Sequence, residues 1–132
     1  MIVVPLALAT LTSATSSQSA AYATGTLGTP GGLGIAWGTC VANTSFQMSL
    51  TWTAATNAKG YDILRGTATG GPYTKIGSST GASYTDTGPQ TGPPALTWAV
   101  TYYYVVRATA GGWVSGNSAQ ASLLAPKAVN CK

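Results

Sequence analysis

Apolar and polar positions alternate along most of this chain with a period of two, the spacing of half-buried strands. Phe46, Met48, Leu50 and Trp52 alternate with Gln47, Ser49, Thr51 and Thr53, the cleanest such run. Thr101–Ala108, reading TYYYVVRA, is the densest stretch of aromatic and β-branched residues, which suit a pleated surface. Its uncharged set Tyr102, Tyr104, Val106 and Ala108 is assigned to the interior. The set Tyr103, Val105, Arg107 and Thr109 is assigned to solvent because it carries Arg107. Leu33, Ile35 and Trp37 alternate with Gly34, Ala36 and Gly38, so Trp37 is read as core, or else as part of an exposed platform with Trp98 and Trp113, and something packs closely against the glycine face. Shorter strands are expected at Gly60–Gly66, Tyr73–Ile76, Ser83–Asp86 and Ser118–Leu124, with Lys75 blunting an edge. Turn signals separate them at Ala54–Lys59, Gly70-Gly71-Pro72 and Gly111-Gly112, and Pro126 stops the last strand. The pattern predicts seven strands and no amphipathic helix, hence an all-β fold: an antiparallel two-sheet sandwich.

The first residues break this pattern. Met1–Leu11 is apolar and Thr12–Ser19 is rich in Ser and Thr. A membrane-spanning helix fails on length, because the run is about half of the roughly 20 residues a span needs and Pro5 interrupts it. A secretory signal would put a cleavage site at Ala21-Tyr22-Ala23, but no cation precedes the apolar run. The remaining reading is an extended segment. An apolar strand cannot stay exposed, so Ile2, Val3, Val4, Leu6, Leu8 and Leu11 are expected to lie on the chain's own sandwich or on another subunit. The signal and the segment both stay open, with the segment leading. The chain thus divides into an apolar extended segment, residues 1–29, and a folded domain, residues 30–132.

Composition narrows the chemistry. Charged residues are 6% of the chain, against roughly 25% in ordinary soluble domains. Such a surface repels copies of itself only weakly. The net charge of +4 comes from scattered lysines and arginines without a basic stripe, which argues against nucleic acid as a partner. There is no His and no Glu, and the side-chain carboxylates are Asp62 and Asp86 alone. General acid–base catalysis and serine nucleophiles therefore lack their usual partners. Asp86 precedes Thr87-Gly88, where Asp often caps a turn. No CxxC or histidine is present for zinc, and two acids are few for calcium. No cofactor, metal or catalytic residue is expected. Cys40 and Cys131 are either a disulfide in an exported chain or two buried thiols. Asn43-Thr44-Ser45 is a sequon, making Asn43 a candidate glycosylation site. Arg65-Gly66 leads into Thr67, so no RGD tripeptide exists, and Arg65 and Arg107 are read as solvated outer-face residues.

The segments around Pro30 and Leu33, Leu50-Thr51-Trp52, Gly60–Gly77, Ser83–Gly88, TYYYVVRA and Asn117–Ala121 before Pro126 resemble, in order, the fibronectin type III domain, an Ig-like β-sandwich. The resemblance covers Pro30–Pro126 and is closest to secreted bacterial or archaeal members. It implies that the ends of the first and last strands share a pole, which would bring Cys40 and Cys131 together. It also places Tyr102 at the family's tyrosine corner. Here the long Pro89–Val100 connection replaces the usual lead, so the corner's backbone partner is in question.

Two functions follow as expectations, both extracellular or at the cell surface and neither enzymatic. One is a structural subunit that assembles with copies of itself into a filament or pilus-like fibre, each apolar segment adding as a donor strand to a neighbour. The other is a secreted adhesion module holding carbohydrate or a surface protein through Trp98 and Trp113, with its leader removed.

Overall fold

Alternating side chains become two layers in the computed structural model, which describes residues 25–88 and 95–131. The strands are β1 Gly31–Val41, β2 Ser45–Thr53, β3 Gly60–Gly66, β4 Thr74–Ser79, β5 Ser83–Asp86, β6 Thr101–Ala110, β7 Trp113–Val114 and β8 Ala121–Leu124, with a 3-10 turn at Ala128–Asn130. One sheet has the order β1-β2-β5; the other has β4-β3-β6-β7, with β8 also paired to β6. Every pairing is antiparallel.

The core forms where the alternating faces meet. Phe46, Met48, Leu50 and Trp52 of β2 oppose Tyr61 and Ile63 of β3 and Tyr102, Tyr104, Val106 and Ala108 of β6. Each such apolar side chain contributes about 1.5–3 kcal/mol by leaving water. Trp52 and Tyr61 meet edge to face, ring centres 5.3 Å apart. The close packing expected on the glycine face of β1 is with its neighbour, since a Cβ at Gly38 would stand 2.9 Å from the Ser49 hydroxyl.

Several expectations are corrected. Eight strands, not seven, occur among the described residues: after Gly111, at φ +61, the chain returns as β7 to pair with Thr109 and Ala110. The last strand is shorter than expected. Ser118 takes over the ladder there, its N–H donating to the Val106 carbonyl at 2.8 Å and its hydroxyl accepting from the Val106 N–H at 3.0 Å. Val105 is buried on the outer face of its sheet, where it pairs in register with the likewise buried Leu64. Tyr102 does have its corner: its hydroxyl accepts from the Thr97 N–H at 2.7 Å and donates to the Ala95 carbonyl at 3.4 Å. The long connection itself thus supplies the partner.

Arg65 is not a solvated outer-face residue. It shares an inward face with Tyr61 and Ile63, pairs in register with Tyr104, and is buried against Asp86. Trp37 is not core but 51% exposed. Its register partner Met48 is in the core, so the two face the same way. β1, however, is the outermost strand of its sheet, and opposite Trp37 stands the end of β8, whose Leu124 carbonyl accepts the indole N–H at 3.0 Å.

The described chain enters at one pole and leaves at the other. Gly28 donates to the Thr56 carbonyl and Asn57 to that of Thr26, fixing the entry beside the β2–β3 turn. The exit lies beside the β1–β2 turn, where Asn43 donates to the Ala128 carbonyl and Cys40 is bonded to Cys131.

Candidate functional site

Chemistry in this molecule is sparse, so its possible sites are surfaces. Among the described residues no three His, Cys, Asp or Glu side chains come together as a metal site. No helix among them is long and apolar enough to cross a membrane.

Asp86 and Asp62 organise two charge clusters. Asp86 ends β5 in the interior. Its carboxylate meets Arg65 of β3 at 2.6 Å, accepts from the Tyr104 hydroxyl of β6 at 2.8 Å, and caps the turn by accepting from the Gly88 N–H at 3.1 Å. The cluster therefore ties one sheet to the other. Arg65 also lies over the Tyr102 ring, 5.0 Å from its centre, a cation–π placement. Burial, and then the Asp86 charge and hydrogen bond, push the Tyr104 hydroxyl far above its ordinary pKa, so it stays a donor. Both carboxylate oxygens of Asp86 are engaged, and the cluster clamps β3, β5 and β6 together.

Asp62 sits on the outer face of the larger sheet, 2.7 Å from Lys75 and 3.5 Å from Arg107, with Ser78 also donating to it. Burial alone would raise its pKa. The Lys75 hydrogen bond and charge, with help from Ser78 and Arg107, outweigh that and hold it below the usual carboxylate value.

Cys40 and Cys131 form the disulfide implied by the family resemblance, their Cα atoms 5.2 Å apart and 91 residues apart in sequence. Closing so long a loop restricts the unfolded chain and contributes on the order of 4–5 kcal/mol in the chain-entropy account.

The three tryptophans weighed as a platform are not brought together. Trp98 packs on Phe46, ring centres 4.7 Å apart, and half-buried closes the exit pole. Trp113 stands on β7 at the entry pole, 52% exposed, where it lines an open groove of about 290 Å³ with Leu27, Val114 and Ser115. Trp37 lies over the seam between β1 and β8, next to the exposed Leu124. Val41 and Val129 are exposed at the exit pole. Asn43 is exposed in the β1–β2 turn at φ +53, a conformation Asn tolerates better than most residues. The apolar contact residues Ile2, Val3, Val4, Leu6, Leu8 and Leu11 lie outside the described residues.

Sequence reasoning missed Leu124 as a surface residue and Arg65 as a core cation, and it preferred the core for Trp37. For Arg65 a signal existed, since period two along Gly60–Gly66 puts it with Tyr61 and Ile63. For Trp37 none did, because alternation gives the face of a strand but not its place in the sheet.

Among solved structures, the chain is similar to a Fn3-like protein from Clostridium thermocellum, with 39% identity and a TM-score of 0.57 over 76% of this chain and 95% of that one. FN3tt is similar at 20% identity and TM-score 0.59, over 77% of this chain and 98% of that one. The fn3 domain of the human collagen alpha-1(XX) chain is similar at 16% identity and TM-score 0.55, over 79% and 89%. The last two share the fold alone. No protein-family model and no curated protein matches the chain.

Proposed function

The chain belongs to the fibronectin type III family, and from that premise we propose that it is a non-catalytic, extracellular structural subunit that assembles head to tail with copies of itself. The observation that carries this reading is the entry and exit of the described chain at opposite poles, with exposed apolar side chains near both: Trp113 and Val114 at the entry, Val41 and Val129 at the exit. A contact between unlike poles does not close on itself and so propagates. The low charge removes the repulsion that would oppose it. The disulfide fits an oxidising compartment.

In this reading the apolar residues Ile2–Leu11 cross to the next copy as an added strand. Electron microscopy and sedimentation of the purified protein test it. Filaments or long oligomers are expected from the full chain and monomers after deletion of Met1–Thr12. A full chain that stays monomeric at high concentration, or a truncated one that assembles equally well, ends the proposal.

The groove beside Trp113 favours a second reading, a secreted module that holds carbohydrate or a surface protein on that indole. Mass spectrometry of the exported protein separates the two, since a mature N-terminus at Thr24 removes the donor segment and leaves the module.

A further inference from the structure

Sheet edges are ready templates for pairing with another chain, and native proteins blunt them with charge, proline or bulges. The four edges of this sandwich are treated differently. β4 carries Lys75. β5 is four residues long and ends in the buried Asp86. Along the opposite side run β1 and β8, and neither contains a charged residue or a proline. No Asp, Glu, Lys or Arg precedes Lys59 anywhere in the sequence.

β1 is also the longest strand, 11 residues, and among the described residues it pairs only with β2. Irregularities at Gly31/Gly34 and Trp37/Cys40 interrupt its register, but between them Gly34–Trp37 runs in unbroken register with β2. That regular stretch borders the seam where Trp37 and Leu124 are each about half exposed. Bulges at both ends and a bare, uncharged centre describe a short socket for one strand.

We infer that the β1–β8 seam, centred on Gly34–Trp37 and Leu124, is the acceptor on which residues Ile2–Leu11 of another copy dock. This rests on the head-to-tail assembly proposed above and names the surface it uses. The choice of occupant follows from three observations. The described chain begins at Gly25, at the pole opposite the exit-pole end of the seam, so a head-to-tail stack sets that pole beside the next copy's seam. Thr12–Thr24 can bridge up to about 40 Å when extended. Both partners lack charge, so pairing buries no unpaired ion. Trp37 would act as the lid that packs over the added strand.

The test mixes two forms of the full chain, one carrying Leu6→Cys and the other Ala36→Cys, under mild oxidation. Thr39→Cys, also exposed on β1, replaces Ala36→Cys if that form does not fold. Ser78→Cys on the β4 edge is the control. The expected result is a two-chain disulfide product at least about tenfold more abundant for the β1 pair than for the control, and weakened about tenfold or more by Trp37→Ala, as for loss of an aromatic anchor. Oligomers that form but cross-link equally at Ser78→Cys overturn the seam and leave the assembly standing. A single chain carrying both Leu6→Cys and Ala36→Cys that closes only on itself overturns the seam as an intermolecular site. Absence of any oligomer overturns both.

Discussion

The two long sides of the sandwich are held shut by different chemistry. On the side of β4 and β5 the closure is internal and polar. Arg65 and Asp86 pair across the layers, the Tyr84 hydroxyl donates to the Ile76 carbonyl at 3.3 Å, and the Ser79 hydroxyl donates to the Ser83 carbonyl at 2.8 Å. Space for Tyr84 is made by Gly77, where a Cβ would collide with the phenol. On the side of β1 and β8 a covalent bond and the Asn43 N–H to Ala128 carbonyl hydrogen bond hold the exit pole, and an exposed indole hydrogen bond crosses between the strands. A covalent link needs no packed seam to hold two edges near each other. That side can therefore leave apolar surface exposed without loosening the fold, while the polar side cannot.

The largest expected effect breaks the polar side. Asp86→Ala strands a buried guanidinium, and Arg65→Ala strands a buried carboxylate. Each should cost about 3–5 kcal/mol, read as a fall in the urea midpoint. The triple change Arg65→Met, Asp86→Leu and Tyr104→Phe should recover most of that, because well-packed apolar groups commonly match buried ion pairs and no buried hydroxyl is left without its acceptor. If the single changes leave the midpoint in place, the two sides do not differ as described.

Next comes the covalent side. Since the described residues contain no free cysteine, reductant acts there on this bond alone. Cys40→Ser with Cys131→Ser should lower stability by about 2–4 kcal/mol, short of the chain-entropy figure because the reduced unfolded chain retains some structure. The unfolding midpoint should then stop responding to reductant, which the parent's does.

The smallest effect sharpens the role of burial. Asp62→Asn breaks up an ion cluster whose cations, Lys75 and Arg107, are 49% and 34% exposed, unlike the buried Arg65, and should cost under about 1 kcal/mol, less in high salt. The Asp62 carboxyl has a folded pKa below its unfolded one. Its contribution is therefore complete above the ordinary carboxylate value, about 3.9, and is lost as pH falls through the folded value. Parent and variant should converge in midpoint at acid pH and separate toward neutrality.

Much of the fold was legible from periodicity. β2 and β6 bury the residues that alternation selects, and the turn glycines fall where the chain reverses. What alternation cannot encode is which strand ends up outermost. Trp37 has the spacing of a core residue and the neighbours of a surface one, and only the sheet order separates the two. Arg65 shows the reverse. Its face was readable, but its charge argued against burial until Asp86, 21 residues later, supplied the partner. The short β7 escaped notice because two residues carry no period at all. Of the candidate surfaces, the disulfide was legible through the resemblance to the family. The seam was not, because it exists only where two sheets come side by side.

The Cys40–Cys131 bond also dictates how the molecule yields to a pull between its ends. Force applied at the exit pole reaches Cys131 and passes straight to Cys40, bypassing every residue enclosed between them. Those residues cannot lengthen under load, however many hydrogen bonds rupture. Among the described residues only the stretch from Gly25 to Cys40 is free to peel away, about 50 Å of chain at full extension, most of which β1 already spans. A string of such units would behave as a nearly inextensible cord with one short slack element per bead.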